Sequence, residues 1–127
     1  MRLKNFTLSF ITQVFKCMSE DSRLRILFLI HENKEMCISD FELILDFTQA
    51  KTSRHLTYLK SNGILNSKKV DQWVFYYVKE EVKDLLSQGF RFVEKDQTLQ
   101  KDLETFKVLY SNRALALNKL HNKKWAN

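Results

Sequence analysis

Proline is absent from this sequence of 127 residues, and glycine occurs only twice. The chain therefore has little material for flexible linkers, which excludes disordered and loop-rich architectures in favour of helices. Two cysteines are too few for a disulfide framework. No apolar run approaches the length of a membrane span. The opening stretch "MRLKNFTLSFITQVF" lacks the continuous apolar core and small-residue cleavage site of a signal peptide. One cytoplasmic domain with reduced thiols and no membrane contact is the expectation. A glycine-rich phosphate loop, paired catalytic carboxylates and a nucleophile with a neighbouring base are also missing, which argues against an enzyme and leaves no cofactor to expect.

What the chain does have is positive charge, with 21 Lys+Arg against 15 Asp+Glu for a net +6. The excess is local. Residues 48–79 carry Lys51, Arg54, Lys60, Lys68, Lys69 and Lys79 against the single acid Asp71, a net of +5, and most of the remainder lies in the C-terminal tail. Such a block favours an acidic partner such as nucleic acid, provided the fold gathers it on one surface.

Periodicity supplies that surface. Phe6, Phe10, Val14 and Met18, with Ile11 and Phe15 beside them, form the wide apolar stripe of a first helix. In "SEDSRLRILFLIHE", Ser19 or Asp21 caps a second helix with Leu24, Leu27, Phe28 and His31 on one face. In "EMCISDFELILDF", Ser39 and Glu42 have the S-x-x-E spacing of a capping box, after which Phe41, Ile44 and Leu45 face inward. Thr48 caps a fourth helix, "QAKTSRHLTYLKSNG", with Thr52, Leu56 and Leu59 inside and Gly63 at the position that ends a helix in left-handed geometry. Two short helices joined by a tight turn, the second basic on its outer face, have the shape of a helix-turn-helix, although the turn "LDFTQ" lacks the glycine often found there.

Beyond Gly63 the pattern alternates. "ILNSKKV" and "WVFYYV" read as a hairpin about "VDQ", with Lys68 and Lys69 near its tip, Trp73, Phe75 and Tyr77 on one face and Tyr76 on the other. At least one tyrosine is expected to pack on the domain. Helical spacing then returns with Val82, Leu85 and Leu86, and again with Leu99, Leu103, Phe106, Leu109 and Tyr110. This region is one helix or two, with Gly89 or "EKDQT" as the candidate break.

The stretches "FKCMSEDSRLRILFLI", "EMCISDF", "TQAKTSRHLTYLKSNGIL" and "WVFYYV", in this order and spacing over roughly residues 12 to 80, resemble the successive signatures of the ArsR/SmtB family of winged helix-turn-helix repressors. The resemblance implies a mainly α fold with a small β-hairpin and a homodimer built by the first and last helices. It places one recognition helix per subunit in the major groove of double-stranded DNA, with the wings at the flanking backbone. The expected layout is one domain, with the helix-turn-helix at about 39–62, the wing at about 64–78 and C-terminal dimerisation helices at about 79–122.

The residues agree with that implication. Arg54 suits bidentate reading of guanine and Gln49 of adenine, while Lys51, Lys68 and Lys69 suit phosphates. Ser53, His55 and Tyr58 complete the candidate contact set. The plainer alternatives are a solvated Gln49, a His55 packed at the edge of the core and a Tyr58 that is simply a surface aromatic. A dimeric winged-helix interaction module that does not read DNA is the rival function, and the basic Lys51, Arg54 and Lys68 count against it.

Metal-sensing members of the family often carry two cysteines, one residue apart, where this chain has "EMCISDF". Cys37 matches the first and Ser39 replaces the second, and a hydroxyl is a poor ligand for a thiophilic ion. Cys37 with Asp40 keeps the spacing of some zinc-binding members, but two ligands do not close a tetrahedral site. The family's other metal site maps onto Glu81, Lys83, Glu94 and Gln97, where a lysine and a glutamine argue against zinc. His31, His55 and His121 have no ligand spacing. Cys17 and Cys37 are the candidates for a thiol switch, against the simpler reading of two reduced, half-buried cysteines.

Overall fold

The computed structural model describes residues 5–111 as α1 (Leu8–Cys17), α2 (Asp21–Asn33), β1 (Glu35–Cys37), α3 (Ile38–Leu45), α4 (Gln49–Ser61), β2 (Leu65–Val70), β3 (Trp73–Val78), α5 (Glu80–Phe90) and α6 (Gln97–Ser111). The part of the expected C-terminal region beyond Ser111, including His121, and the side chain of Tyr110 lie outside the described residues.

Helix α2 is the centre of the molecule. Ile26, Leu27, Phe28, Leu29 and Ile30 are all buried, so the middle of the helix is enclosed on every side rather than on the one face that its spacing suggests. The cause is that α4, α5, α6 and the sheet pack around it from different directions. Its N-cap is Glu20, not Ser19 or Asp21. The Ser19 hydroxyl instead donates to the Lys16 carbonyl at 2.7 Å, and Arg23 donates to the carbonyls of Cys17 at 2.7 Å and Lys16 at 3.1 Å. These bonds give the Cys17 carbonyl a partner and add to the Ser19 N–H that the Lys16 carbonyl already accepts at 3.3 Å, at the C-terminal end of α1. On α1 itself only Val14 and Cys17 are fully buried, while Leu8 and Phe15 are 82% and 57% exposed.

The capping box of α3 sits two residues earlier than Ser39 and Glu42. Cys37 is the N-cap, and its backbone N–H donates to the Asp40 carboxylate at 3.1 Å, with the sulfur standing in the acceptor position of the usual hydroxyl. The shift has a reason. Glu35, Met36 and Cys37 pair antiparallel with Tyr77, Tyr76 and Phe75, so the chain passes from strand to helix without a linker. This third strand gives the sheet the order β1-β3-β2, and three residues, "EMC", are too short a run to announce it by periodicity.

Asp46, at φ 56°, ends α3 in the left-handed conformation and takes the place of the missing glycine, a role that aspartate tolerates. Thr48 then caps α4 by accepting from the Lys51 N–H at 3.1 Å. At the other end Gly63 has φ 79°, Ile64 N–H reaches the Leu59 carbonyl at 3.0 Å and Gly63 N–H the Lys60 carbonyl at 3.2 Å, the bond pair of a Schellman motif.

The hairpin runs from Leu65↔Val78 to Val70↔Trp73, with Asp71 at φ 56° in a two-residue turn. Tyr76 packs against the core. The C-terminal region forms two helices, broken after Phe90 rather than at Gly89. Asp96 restarts the chain as a helix by accepting from the N–H groups of Thr98 at 2.9 Å and Leu99 at 3.2 Å. Leu99, Asp102 and Phe106 of α6 are buried within the chain, where the helix packs on α2 and α3. That part of the C-terminal stripe is internal core. Among the described residues no helix is long and apolar enough to cross a membrane.

Candidate nucleic-acid interface

One face of α4 is committed to the core. Thr52, Leu56 and Leu59 are fully buried and the Thr52 hydroxyl donates to the Thr48 carbonyl at 2.9 Å. The helical period leaves Gln49, Ala50, Ser53, Arg54 and Thr57 exposed on the other side. Three of the expected contacts, Gln49, Ser53 and Arg54, thus share one open surface. Lys51 is half-buried beside them, its ammonium 3.9 Å from the centre of the Phe47 ring.

His55 does not belong to that surface. It is 6% exposed, its Nε2 lies 3.5 Å from the Glu20 carboxylate, and its ring faces Phe47 at 6.5 Å. Burial pushes the imidazole below its ordinary value of 6.5, the cations Arg23, Arg54 and Lys51 push the same way, and Glu20 opposes them. This packing takes His55 out of the open face and matches the plainer alternative of a histidine packed at the edge of the core. Tyr58 is half-buried beneath the Arg23 guanidinium at 4.6 Å, and Arg23 is itself held by Glu20 at 2.6 Å. Glu20 therefore joins His55 and Tyr58, on successive turns of α4, to the start of α2. The Glu20 and Arg23 spacing of i,i+3 is readable in sequence, but the tertiary partner it serves is not.

The wing is tied to α4 by the Lys60 ammonium donating to the Ser67 hydroxyl at 2.7 Å. Lys68 and Lys69 are both exposed on β2. Lys68 is not an isolated cation, since its ammonium lies 2.7 Å from the Glu35 carboxylate.

The thiols sit apart from this surface. Cys17 and Cys37 are unpaired and buried. Burial pushes both above the ordinary thiol value, against the pull of Arg23 and Lys16 at Cys17, and with the help of the Asp40 charge at Cys37. Raised values keep sulfur in the thiol form, the weaker nucleophile and the weaker metal ligand. Asp40, the other weak metal candidate, accepts the Cys37 N–H within the capping box. Of the second set of metal positions, Glu81 and Lys83 lie on α5, Glu94 in the connection and Gln97 at the start of α6, and Lys83 pairs with Glu80 at 2.9 Å. Among the described residues no group of three or more His, Cys, Asp or Glu side chains is arranged to hold a metal ion.

Comparison with known proteins agrees with the geometry. Residues 20–67 match the bacterial regulatory protein, arsR family, leaving α1, β3, α5 and α6 outside the matched segment. The arsenic resistance transcriptional regulator ArsR1 of Pseudomonas putida is 41% identical over 69 residues, 54% of each chain. The cadmium resistance transcriptional regulatory protein CadC of Listeria innocua is 35% identical over 96 residues, 74% of this chain and 80% of that one. The chain thus spans about half the length of the first relative and four fifths of the second. The homodimeric winged helix-turn-helix DNA-binding domain of Mb0332 from Mycobacterium bovis superposes with a TM-score of 0.62 over 69% of this chain and 82% of that one, at 21% identity, which bears on the fold alone.

A helix-turn-helix whose second helix shows an open polar face, flanked by a basic two-stranded wing, defines a winged helix-turn-helix transcription regulator. The chain belongs to the arsR family of bacterial regulatory proteins. It is accordingly a regulator and not an enzyme, and the interaction module without DNA readout is not favoured.

Proposed function

We propose that the chain acts in the cytoplasm as a homodimeric repressor, one winged helix-turn-helix domain per subunit, which binds operator DNA and is released by a signal. The observation that carries this reading is the open face of α4, where Gln49, Ser53 and Arg54 are exposed beside Lys51 while the opposite face is sealed in the core. Arg54 would read a guanine edge and Gln49 an adenine edge. Lys51, Ser53, Lys68 and Lys69 would hold the phosphates, and Tyr58 would lie at the margin of the contact. The exposed Leu8 and Phe15 of α1 supply apolar surface for the dimer.

Duplex DNA from the region upstream of its own coding sequence should bind the purified chain, and the logarithm of the affinity should fall linearly with log salt as counterions are released. Equal affinity for that duplex and for unrelated duplexes of the same length would remove the operator from the proposal. ArsR1 is named for arsenic resistance and CadC for cadmium resistance. Here the buried thiols and Ser39 in place of a second cysteine do not favour either ion as the signal.

A further inference from the structure

Helix α6 lies outside the helix-turn-helix, yet a short chain of contacts runs from it to the first turn of α4. Asp102 of α6 is 4% exposed and accepts two N–H groups of Arg25 from α2, Nε to Oδ2 at 2.8 Å and Nη2 to Oδ1 at 2.9 Å. A two-pronged pair of this kind fixes orientation as well as charge. The guanidinium so held lies 5.6 Å from the centre of the Phe47 ring, in the turn between α3 and α4. The Lys51 ammonium lies 3.9 Å from the same ring centre. Two bare cations drawn to one ring would repel each other, and the Asp102 carboxylate neutralises one of them.

We propose that Asp102 is a positioning residue for DNA binding, acting through Arg25 and Phe47 to hold the Lys51 ammonium at the N-terminal turn of α4. The proposal rests on the reading of α4 as the DNA-contacting helix. A lysine has a long stem whose rotamer freedom is lost when it grips a phosphate. Seating its ammonium on Phe47 beforehand removes part of that cost, while the half-buried side chain keeps N–H groups for the phosphate. With Asp102 neutral, the unpaired guanidinium turns to solvent, Phe47 loses its backing and Lys51 is no longer seated.

The test is a double-mutant cycle on the full chain, with wild type, Asp102→Asn, Lys51→Ala and the double variant, read as affinity for the upstream duplex. Asp102→Asn should weaken binding about two- to five-fold, the equivalent of one exposed cation–π contact. It should have no further effect once Lys51 is alanine, and Asp102→Glu should restore part of the loss. Additive losses, no loss, or tighter binding would each overturn the proposal, since a brace that only stabilises the fold acts equally in both backgrounds. If circular dichroism shows that Asp102→Asn does not fold, Phe47→Leu replaces it in the same cycle, because it keeps apolar bulk and removes the ring. A wild-type chain that binds no duplex rejects the DNA reading itself and the positioning role with it.

Discussion

Lys68 of the wing and Glu35 of β1 reach across β3 to within 2.7 Å of each other. Both side chains are about half exposed, at 51% and 42%, so the pair adds at most about 1 kcal/mol to stability. Its larger consequence is for charge. A carboxylate beside a cation competes with phosphate for it, and a wing with Lys68 engaged presents less positive potential than its sequence promises. Glu35→Gln is expected to tighten DNA binding at low salt and to steepen the dependence of log affinity on log salt by up to about one unit. Unchanged slope and affinity would show that Lys68 makes no phosphate contact.

His55 makes stability depend on pH. Its folded value is lowered by burial from 6.5, so between that value and 6.5 the unfolded chain binds more protons than the folded one. The contribution is fully present above about pH 6.5 and is lost as pH falls through the folded value. Melting temperatures of wild type should therefore drop on going from pH 8 to pH 5 more steeply than those of His55→Gln. Parallel curves would mean that His55 binds protons equally in the folded and the unfolded chain.

Gly63 combines φ 79° with a Phe10 ring carbon 3.3 Å from where a Cβ would sit. Gly63→Ala should lower stability by about 1–2 kcal/mol through the left-handed backbone alone, measured by urea unfolding. An unchanged midpoint would show that the end of α4 relaxes to another conformation.

Cys17 and Cys37 are buried, with thiols pushed up by desolvation. A disulfide reagent at pH 8 should modify them slowly in the native chain and rapidly after denaturation, because the thiolate is the reacting species. Fast native reaction at either sulfur would revive the thiol switch.

The recognition helix is legible in the sequence because its signals are local: the cap at Thr48, the buried spacing of Thr52, Leu56 and Leu59, and the terminating Gly63 all lie within one segment. The start of α3 is ambiguous at that level because "SDFE" fits a capping box as well as "CISD" does, and only the pairing of Cys37 with Phe75 decides between them. His55 falls between the two faces of a helical wheel, and its burial depends on Glu20 and Phe47. The link from Asp102 to Arg25 spans 77 residues, and no spacing rule reaches that far.

The open face of α4 is the centre of the account, and Arg54 with Lys51 is its most direct test. Binding of the upstream duplex should be compared between wild type and Arg54→Ala plus Lys51→Ala, across a range of salt. A lost guanine contact should cost about 1–3 kcal/mol and relax sequence preference at one position, while the lost phosphate contact lowers the salt slope by about one unit. Unchanged affinity, preference and slope in the double variant would contradict the assignment of this face to DNA.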